Sequence, residues 1–372
     1  MTHHVEHFLR KGIITLHPYV PGKSEEEVQE TYQIPRVVKL ASNENPFPPP
    51  EGVLRAIQEE IPRIHRYPDG KCRRLAPRLA EFLGVSPDEL IFGNGAEELI
   101  FLVCQTFLNE GEEAIIVANC FDAYETAVRV LGGIPVFSSL TSDFHVDLAD
   151  ILRRITPKTK LIFLPNPNNP TGTIFLESSF LDFLDALPEG VLVVLDEAYH
   201  EYVTHPEYPD SLRLLGEGHP LIILRTFSKF YGLAGIRIGY AVSQTTFIRV
   251  LHHVRQPFNV NRLAETAAIA CLDHVSHYRR QAETIQKEKE FLYRSFEKMD
   301  LSYIPSHTNF ILIDIGKDVR RLFPHLLSQG VIVRPGTIWG LHSFIRVTIG
   351  THDENVAFLQ TLSETLQRQS PL

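Results

Sequence analysis

No apolar run in this 372-residue sequence approaches the length of a membrane span, and the N-terminal MTHHVEHFLRKG lacks the apolar core of a secretion signal. A cytoplasmic location is the expectation. Cysteine is scarce: Cys72, Cys104, Cys120 and Cys271 are scattered, with no C-x-x-C pair, which argues against a disulfide framework and fits reduced thiols. Basic residues are in deficit, 36 against 45 acidic ones, for a net charge of −9. Such a chain has no overall attraction for nucleic acid or an anionic membrane, so any anionic ligand must meet cations gathered in a site. No H-E-x-x-H occurs, and His3, His4 and His7 belong to a terminal arm, so no metal is expected. Internal repeats and low-complexity segments are absent too.

What is present is an ordinary globular composition, 44% hydrophobic and 22% charged, with length for one large domain and a smaller one. Short β-rich runs alternate with helical patterns: VVKLAS (37–42), ELIFG (89–93), EAIIVA (113–118), IPVFSSL (134–140), KLIFLPN (160–166), VLVVLDEAY (191–199), LIILRTFS (221–228) and IRIGYAVS (236–243). Several are almost continuously apolar, as in a parallel sheet covered by helices on both faces, and the alternation predicts a doubly wound α/β domain over 37–258. Beyond Pro257 two helical stretches precede NFILIDI, VIVRP and FIRVTIG, which predicts a smaller α+β domain over 259–372. Residues 1–36 read as an N-terminal arm that packs with the small domain or a neighbouring subunit. Within it SEEE (24–27) has the form of a capping box. The charge run from Arg279 to Lys298 reads as a solvated helix face.

Four motifs fall where open α/β sheets place ligands, at the C-terminal ends of strands. IFGNGAEELI (91–100) is a strand, a glycine turn and a helix start whose first amides can make an anion site; taken alone, the plain βα turn is the favoured of those two readings. The stretch is neither a Walker loop nor a dinucleotide fingerprint, lacking Gly-Lys-Ser/Thr and a third glycine. FLPNPNNPTGT (163–173) is a proline-stiffened loop that can hold an amide towards a ligand. VLVVLDEAYHEY (191–202) ends an apolar strand on Asp196, a costly place for a carboxylate without a cationic partner, a cap being the simpler role. RTFSKFYGLAGIRIGY (225–240) carries Lys229 into small and aromatic surroundings, with Arg237 after it. Together these describe a ligand with a phosphate, a basic ring nitrogen and an electrophilic carbonyl. Pyridoxal phosphate meets all three requirements, with Lys229 as the amine that condenses with the carbonyl.

PNPNNPTG, DEAY and SKFYGLAGIRIGY, in this order, resemble the fold-type I pyridoxal-phosphate aminotransferases. More narrowly, LHPYVPGK (16–23), KLASNENPFPPP (39–50), RYPDG (66–70) and GNGAEELI (93–100) are similar to the histidinol-phosphate aminotransferases, from about Leu16 to the last helix. The resemblance implies a large domain with a mostly parallel sheet and a smaller α+β domain. It makes Lys229 the cofactor-bound lysine and the base that moves the substrate proton, with Asp196 holding the pyridine nitrogen protonated. Tyr199 and Asn169 would hydrogen-bond the ring oxygen. The backbone of Ala96 and Glu97, with Thr226, Ser228 and Arg237, would hold the phosphate. Tyr67 would reach that phosphate from a neighbouring subunit, implying a homodimer with a shared site.

On the substrate side the resemblance implies Arg346 as the fork for an α-carboxylate, with Tyr19 and Asn43 nearby and Arg334 as a further candidate. Phe121 stands where relatives often stack a tyrosine on the cofactor; Tyr124 is the alternative stacker, though its helical spacing suits the core. Trp339 and His342 either line the pocket or pack an ordinary turn. The implied reaction is transamination between L-histidinol phosphate and 2-oxoglutarate, giving imidazole acetol phosphate and glutamate, in histidine biosynthesis. The same cofactor residues would serve a broad aromatic aminotransferase or a phospho-amino-acid decarboxylase. A regulatory cofactor-binding domain without turnover is disfavoured, because no length remains for a DNA-binding module.

Overall fold

Residues 8–14, 16, 18 and 22–368 are described by the computed structural model of the chain. Their strands are β1 (Val38–Leu40), β2 (Leu90–Gly93), β3 (Glu113–Val117), β4 (Ile134–Ser138), β5 (Thr159–Pro165), β6 (Leu192–Asp196), β7 (Leu221–Thr226), β8 (Gly239–Ser243), β9 (Ser302–Ile304), β10 (Phe310–Asp314), β11 (Val331–Pro335) and β12 (Phe344–Thr348). Seven of them form one sheet in the order β2-β8-β7-β6-β5-β3-β4, in which β8 alone runs against its neighbours. The apolar runs of β6 and β7 are buried along their whole length, because helices cover both faces. This is the expected α/β architecture.

The second sheet has the order β1-β11-β12-β10-β9. Two sequence assignments change here. Strand β1, placed with the large domain, pairs in parallel with β11, Val38 opposite Val331 and Leu40 opposite Val333. Its two buried residues suit either sheet, so only tertiary pairing decides. Conversely, helix Arg262–Leu272, placed with the small domain, packs on helices Glu51–Glu60 and Leu75–Leu83. Its buried Ala264, Ala267, Ala268 and Cys271 are small enough for close approach. The division at 258/259 therefore cuts across real packing.

Two smaller corrections follow from side chains. Ser24 caps helix Glu25–Tyr32 by accepting from the Glu27 amide at 3.1 Å, but the Glu27 carboxylate pairs with Lys23, so only half of the capping box forms. Helix Val275–Lys298 is not wholly a solvated face: Lys289 is 4% exposed, its Nζ donating to the carbonyls of Ser306 (2.8 Å) and Thr308 (3.4 Å). Backbone oxygens satisfy the amine, and burial lowers its pKa to about 8.

Candidate active site

Pro165, Asp196 and Leu224 lie side by side at the ends of β5, β6 and β7, so the loops after these strands open on one crevice. The chain enters and leaves β3 and β5 in opposite senses, and a crevice forms outside the carboxyl ends at such a reversal. The resulting cleft has a volume of about 260 Å³, and β11 and β12 of the second sheet close its far wall.

One end of the cleft is built for an anion. Register sets Gly93, Gly239 and Thr226 next to one another across β2, β8 and β7. A Cβ on Gly239 would sit 2.5 Å from the Ala96 nitrogen, so glycine lets helix Ala96–Phe107 start against the sheet. Gly95 caps that helix at φ 86° without a side-chain bond, which leaves its first amides to a ligand. The Arg237 guanidinium lies beside them: a Cβ on Gly95 would come within 2.5 Å of Nη2. Nη1 donates to Ser228 Oγ (3.3 Å) and the Ala234 carbonyl (3.1 Å), and the Ser228 amide donates to Thr226 Oγ1 (3.0 Å). Arg237 holds a left-handed φ of 64°, an unfavourable conformation for any residue with a Cβ, which the surrounding contacts enforce.

Lys229 and Asp196 occupy the middle. Lys229 Nζ donates to the Ser42 carbonyl at 2.9 Å. Burial, reinforced by the Arg346 charge, lowers its pKa to about 8, so the neutral amine is accessible near physiological pH. Asp196 accepts from the Ala198 amide at 3.0 Å and from the Tyr124 hydroxyl at 2.7 Å. Burial raises its pKa, and these two donors oppose the shift. Asn43, itself left-handed at φ 55°, donates from Nδ2 to the Tyr199 oxygen at 2.9 Å.

The far wall carries Arg334 and Arg346 on neighbouring strands, opposite each other in register and both buried. Arg346 Nη2 donates to the Ala41 carbonyl at 2.6 Å and Nη1 to Asn169 Oδ1, with the guanidinium 5.2 Å from the Phe310 ring and 5.3 Å from the Trp339 ring. Asp122 also lines the cleft; burial raises its pKa and the Arg334 charge opposes that rise.

Residues 35–362 match the family "Aminotransferase class I and II". The chain belongs to that family. It is 47% identical over 358 residues to histidinol-phosphate aminotransferase of Moorella thermoacetica, covering 96% of this chain and 92% of the relative. To the enzyme of that name from Caldicellulosiruptor saccharolyticus it is 44% identical, covering 96% and 99%. Among solved structures it is similar to histidinol-phosphate aminotransferase from Sinorhizobium meliloti in complex with pyridoxal-5'-phosphate, with a TM-score of 0.89, 28% identity and coverage of 97% and 98%.

In this aminotransferase the cleft gathers Asn43, Ala96, Glu97, Phe121, Asn169, Asp196, Tyr199, Thr226, Ser228, Lys229, Arg237, Arg334 and Arg346. Tyr67 is not among them: it is 79% exposed and stacks on Phe258 at 4.8 Å. Tyr19 lies outside the described residues, as do His3, His4 and His7. Trp339 lines the cleft and its Nε1 donates to the Cys120 carbonyl at 3.1 Å, whereas His342 is exposed and outside it. Three contributors were missed from sequence. Neither the Ser42 carbonyl nor Asp122 carries a motif. Tyr124 is buried as its spacing suggests, but its hydroxyl reaches Asp196, and periodicity does not report where a hydroxyl ends.

Proposed function

We propose that this aminotransferase moves an amino group between L-histidinol phosphate and 2-oxoglutarate in histidine biosynthesis, with pyridoxal phosphate as cofactor. The carrying observation is one cleft with an uncapped helix start and Arg237 at one end, Lys229 and Asp196 between, and paired arginines at the other. The chain's 47% identity to a relative of that name over 96% of its length supports the reading.

The residues present fit the cofactor. The cradle at Gly95, which a single Cβ would fill, combines free amides with a guanidinium and a hydroxyl, a donor set for a phosphate dianion. When bound, pyridoxal phosphate supplies a carbonyl that bonds an amine and a ring that accepts electrons. Ala96, Glu97, Thr226, Ser228 and Arg237 hold the phosphate. Asp196 keeps a proton on the ring nitrogen. Tyr199, oriented by Asn43, and Asn169 reach the ring oxygen. Phe121 offers the ring an aromatic face. Lys229 Nζ would be the amine that bonds the cofactor carbonyl, and as the neutral amine it would carry the proton from the substrate Cα. Arg346, held by Ala41 and Asn169, forks a carboxylate of glutamate or the phosphate ester of histidinol phosphate, and Arg334 completes that anion site. Tyr19 and Asn43 belong to the substrate side.

The same proposal includes a homodimer. Tyr67 is exposed and stacked on Phe258 (44% exposed), and Ile64 (64% exposed) lies three residues before it in the chain, apolar surface suited to a second copy. Tyr67 then reaches the second copy's phosphate site. The proposal also places the enzyme in a reducing cytoplasm, where its four buried, free cysteines are stable as thiols. No described helix is long and apolar enough to cross a membrane.

The test is a coupled assay of the purified protein with 2-oxoglutarate and histidinol phosphate, phenylalanine or tyrosine. Histidinol phosphate should give the highest kcat/KM. Faster turnover of the aromatic amino acids, or release of carbon dioxide from a phospho-amino acid, overturns the substrate assignment.

A further inference from the structure

One buried polar contact in the cleft belongs to a side chain that the proposed chemistry leaves unused. Tyr124 is 1% exposed. It stands in the first turn of helix Ala123–Val130, its ring stacked on Phe163 of β5 at 5.0 Å and met edge-on by Phe121 at 5.9 Å. Those contacts fix the ring, and a fixed ring fixes the hydroxyl, which donates to Asp196 Oδ2 at 2.7 Å. The other carboxylate oxygen accepts from the Ala198 amide at 3.0 Å. Each oxygen of Asp196 thus has one protein donor, with lone pairs remaining for the cleft that Asp196 lines.

We infer that Tyr124 is a positioning residue: it acts through Asp196, keeping that carboxylate ionised and aimed so that it can hold a proton on the cofactor's ring nitrogen. The inference rests on the pyridoxal-phosphate reading above. Two physical facts carry it. A buried carboxylate is pushed towards its neutral form, and hydrogen bonds to the charged form oppose that push. The donor must also stay protonated at every working pH, and burial together with the adjacent Asp196 charge raises the Tyr124 pKa well above that of an ordinary phenol. A histidine or lysine in its place would titrate. The buried phenol does not.

The stacked arrangement makes the test clean, because Tyr124→Phe keeps the ring on Phe163 and deletes only the hydroxyl. Asp196 then loses one of its two protein donors and holds the ring proton less firmly. A positive ring nitrogen disfavours a second positive charge on the cofactor–lysine linkage, so weakening it should move that linkage's spectroscopic titration to higher pH. Pyridoxal phosphate affinity, read by absorbance titration of the apoenzyme, should fall roughly 10- to 100-fold, the size of one hydrogen bond to a charged group. kcat should fall with KM for glutamate little changed.

The deciding control is reconstitution with 1-deazapyridoxal phosphate, whose ring has no nitrogen for Asp196 to serve. The Tyr124→Phe loss of affinity should vanish with this analogue. Equal losses with both cofactors would show a merely structural tyrosine, and an unchanged titration with pyridoxal phosphate would also overturn the inference. Wild-type protein that forms no chromophore with pyridoxal phosphate would instead remove the cofactor reading itself, and this inference with it.

Discussion

Arg334 and Arg346 stand directly opposite each other on β11 and β12, both nearly buried, facing one cleft. Like charges paired across a ladder repel, so this arrangement favours an anion between or beside them. Arg346 is held with Nη2 on the Ala41 carbonyl and the guanidinium close to the Phe310 and Trp339 rings. Lysine at 346 would keep the charge and lose both the fork and the stacked plane. Arg346→Lys should therefore lose about 1.5–3 kcal/mol of transition-state stabilisation in each half-reaction. Measuring kcat/KM separately for histidinol phosphate and for glutamate checks this; unchanged values with both substrates would move the role to Arg334.

Lys229 supplies a pH prediction with a built-in control. Its amine carries a proton below its lowered pKa of about 8 and a reactive lone pair above it. Covalent attachment of pyridoxal phosphate to the apoenzyme should accelerate as pH rises through about 8, followed by absorbance. Lys289 has its pKa lowered to a similar value, yet it is buried against Ser306 and Thr308, away from the cleft. Borohydride reduction and peptide mapping should place the adduct on Lys229 alone. An adduct on Lys289 would refute the assignment, and Lys229→Ala should abolish transamination while retaining weak cofactor binding through the phosphate cradle.

Behind the cleft, Glu197 (1% exposed) receives Arg225 at 2.8 Å, and Arg225 also reaches Ser211 Oγ at 3.4 Å. Burial lowers the Arg225 pKa, but the Glu197 charge and hydrogen bond, together with Tyr240 and Glu201, outweigh it and raise the pKa. Glu197→Gln strands a buried cation between β6 and β7. Breaking such a pair from one side costs about 3–5 kcal/mol, to be read as a lower denaturant midpoint at constant slope. A variant as stable as wild type would mean that water reaches Arg225.

Much of the site was legible because its chemistry sits in short motifs at strand ends: a lysine in apolar surroundings, a carboxylate closing an apolar strand, glycines before a helix. Each places one residue at the same edge of one sheet, and sheet topology brings them together. What stayed hidden depends on distant pairing. Val38 and Leu40 fit either sheet until β11 is present. The Ser42 carbonyl is a backbone atom with no signature. Lys289 looked solvated because its partners, two loop carbonyls, carry no charge to betray them. Asp196→Asn separates a legible role from a bland one: near-normal turnover would reduce Asp196 to a cap, whereas the electron-sink role requires a loss of several orders of magnitude with far less loss of stability.

Gly239 links fold to cofactor most directly. A Cβ there would meet the Ala96 nitrogen at 2.5 Å, the Gly95 carbonyl carbon at 2.8 Å and the Arg225 carbonyl oxygen at 3.0 Å. All three are backbone atoms, so no flexible side chain can swing aside, and helix Ala96–Phe107 must shift at its start. Overpacking of this kind costs about 1–3 kcal/mol. The displaced atoms, however, are the amides that form the phosphate cradle, so Gly239→Ala should weaken cofactor affinity beyond the loss of stability. Gly235→Ala is the control, since nothing lies within 4 Å of its added Cβ. Absorbance titration and denaturant unfolding of the two apoenzymes check both terms. If Gly239→Ala binds pyridoxal phosphate as tightly as Gly235→Ala does, the helix start does not hold the phosphate.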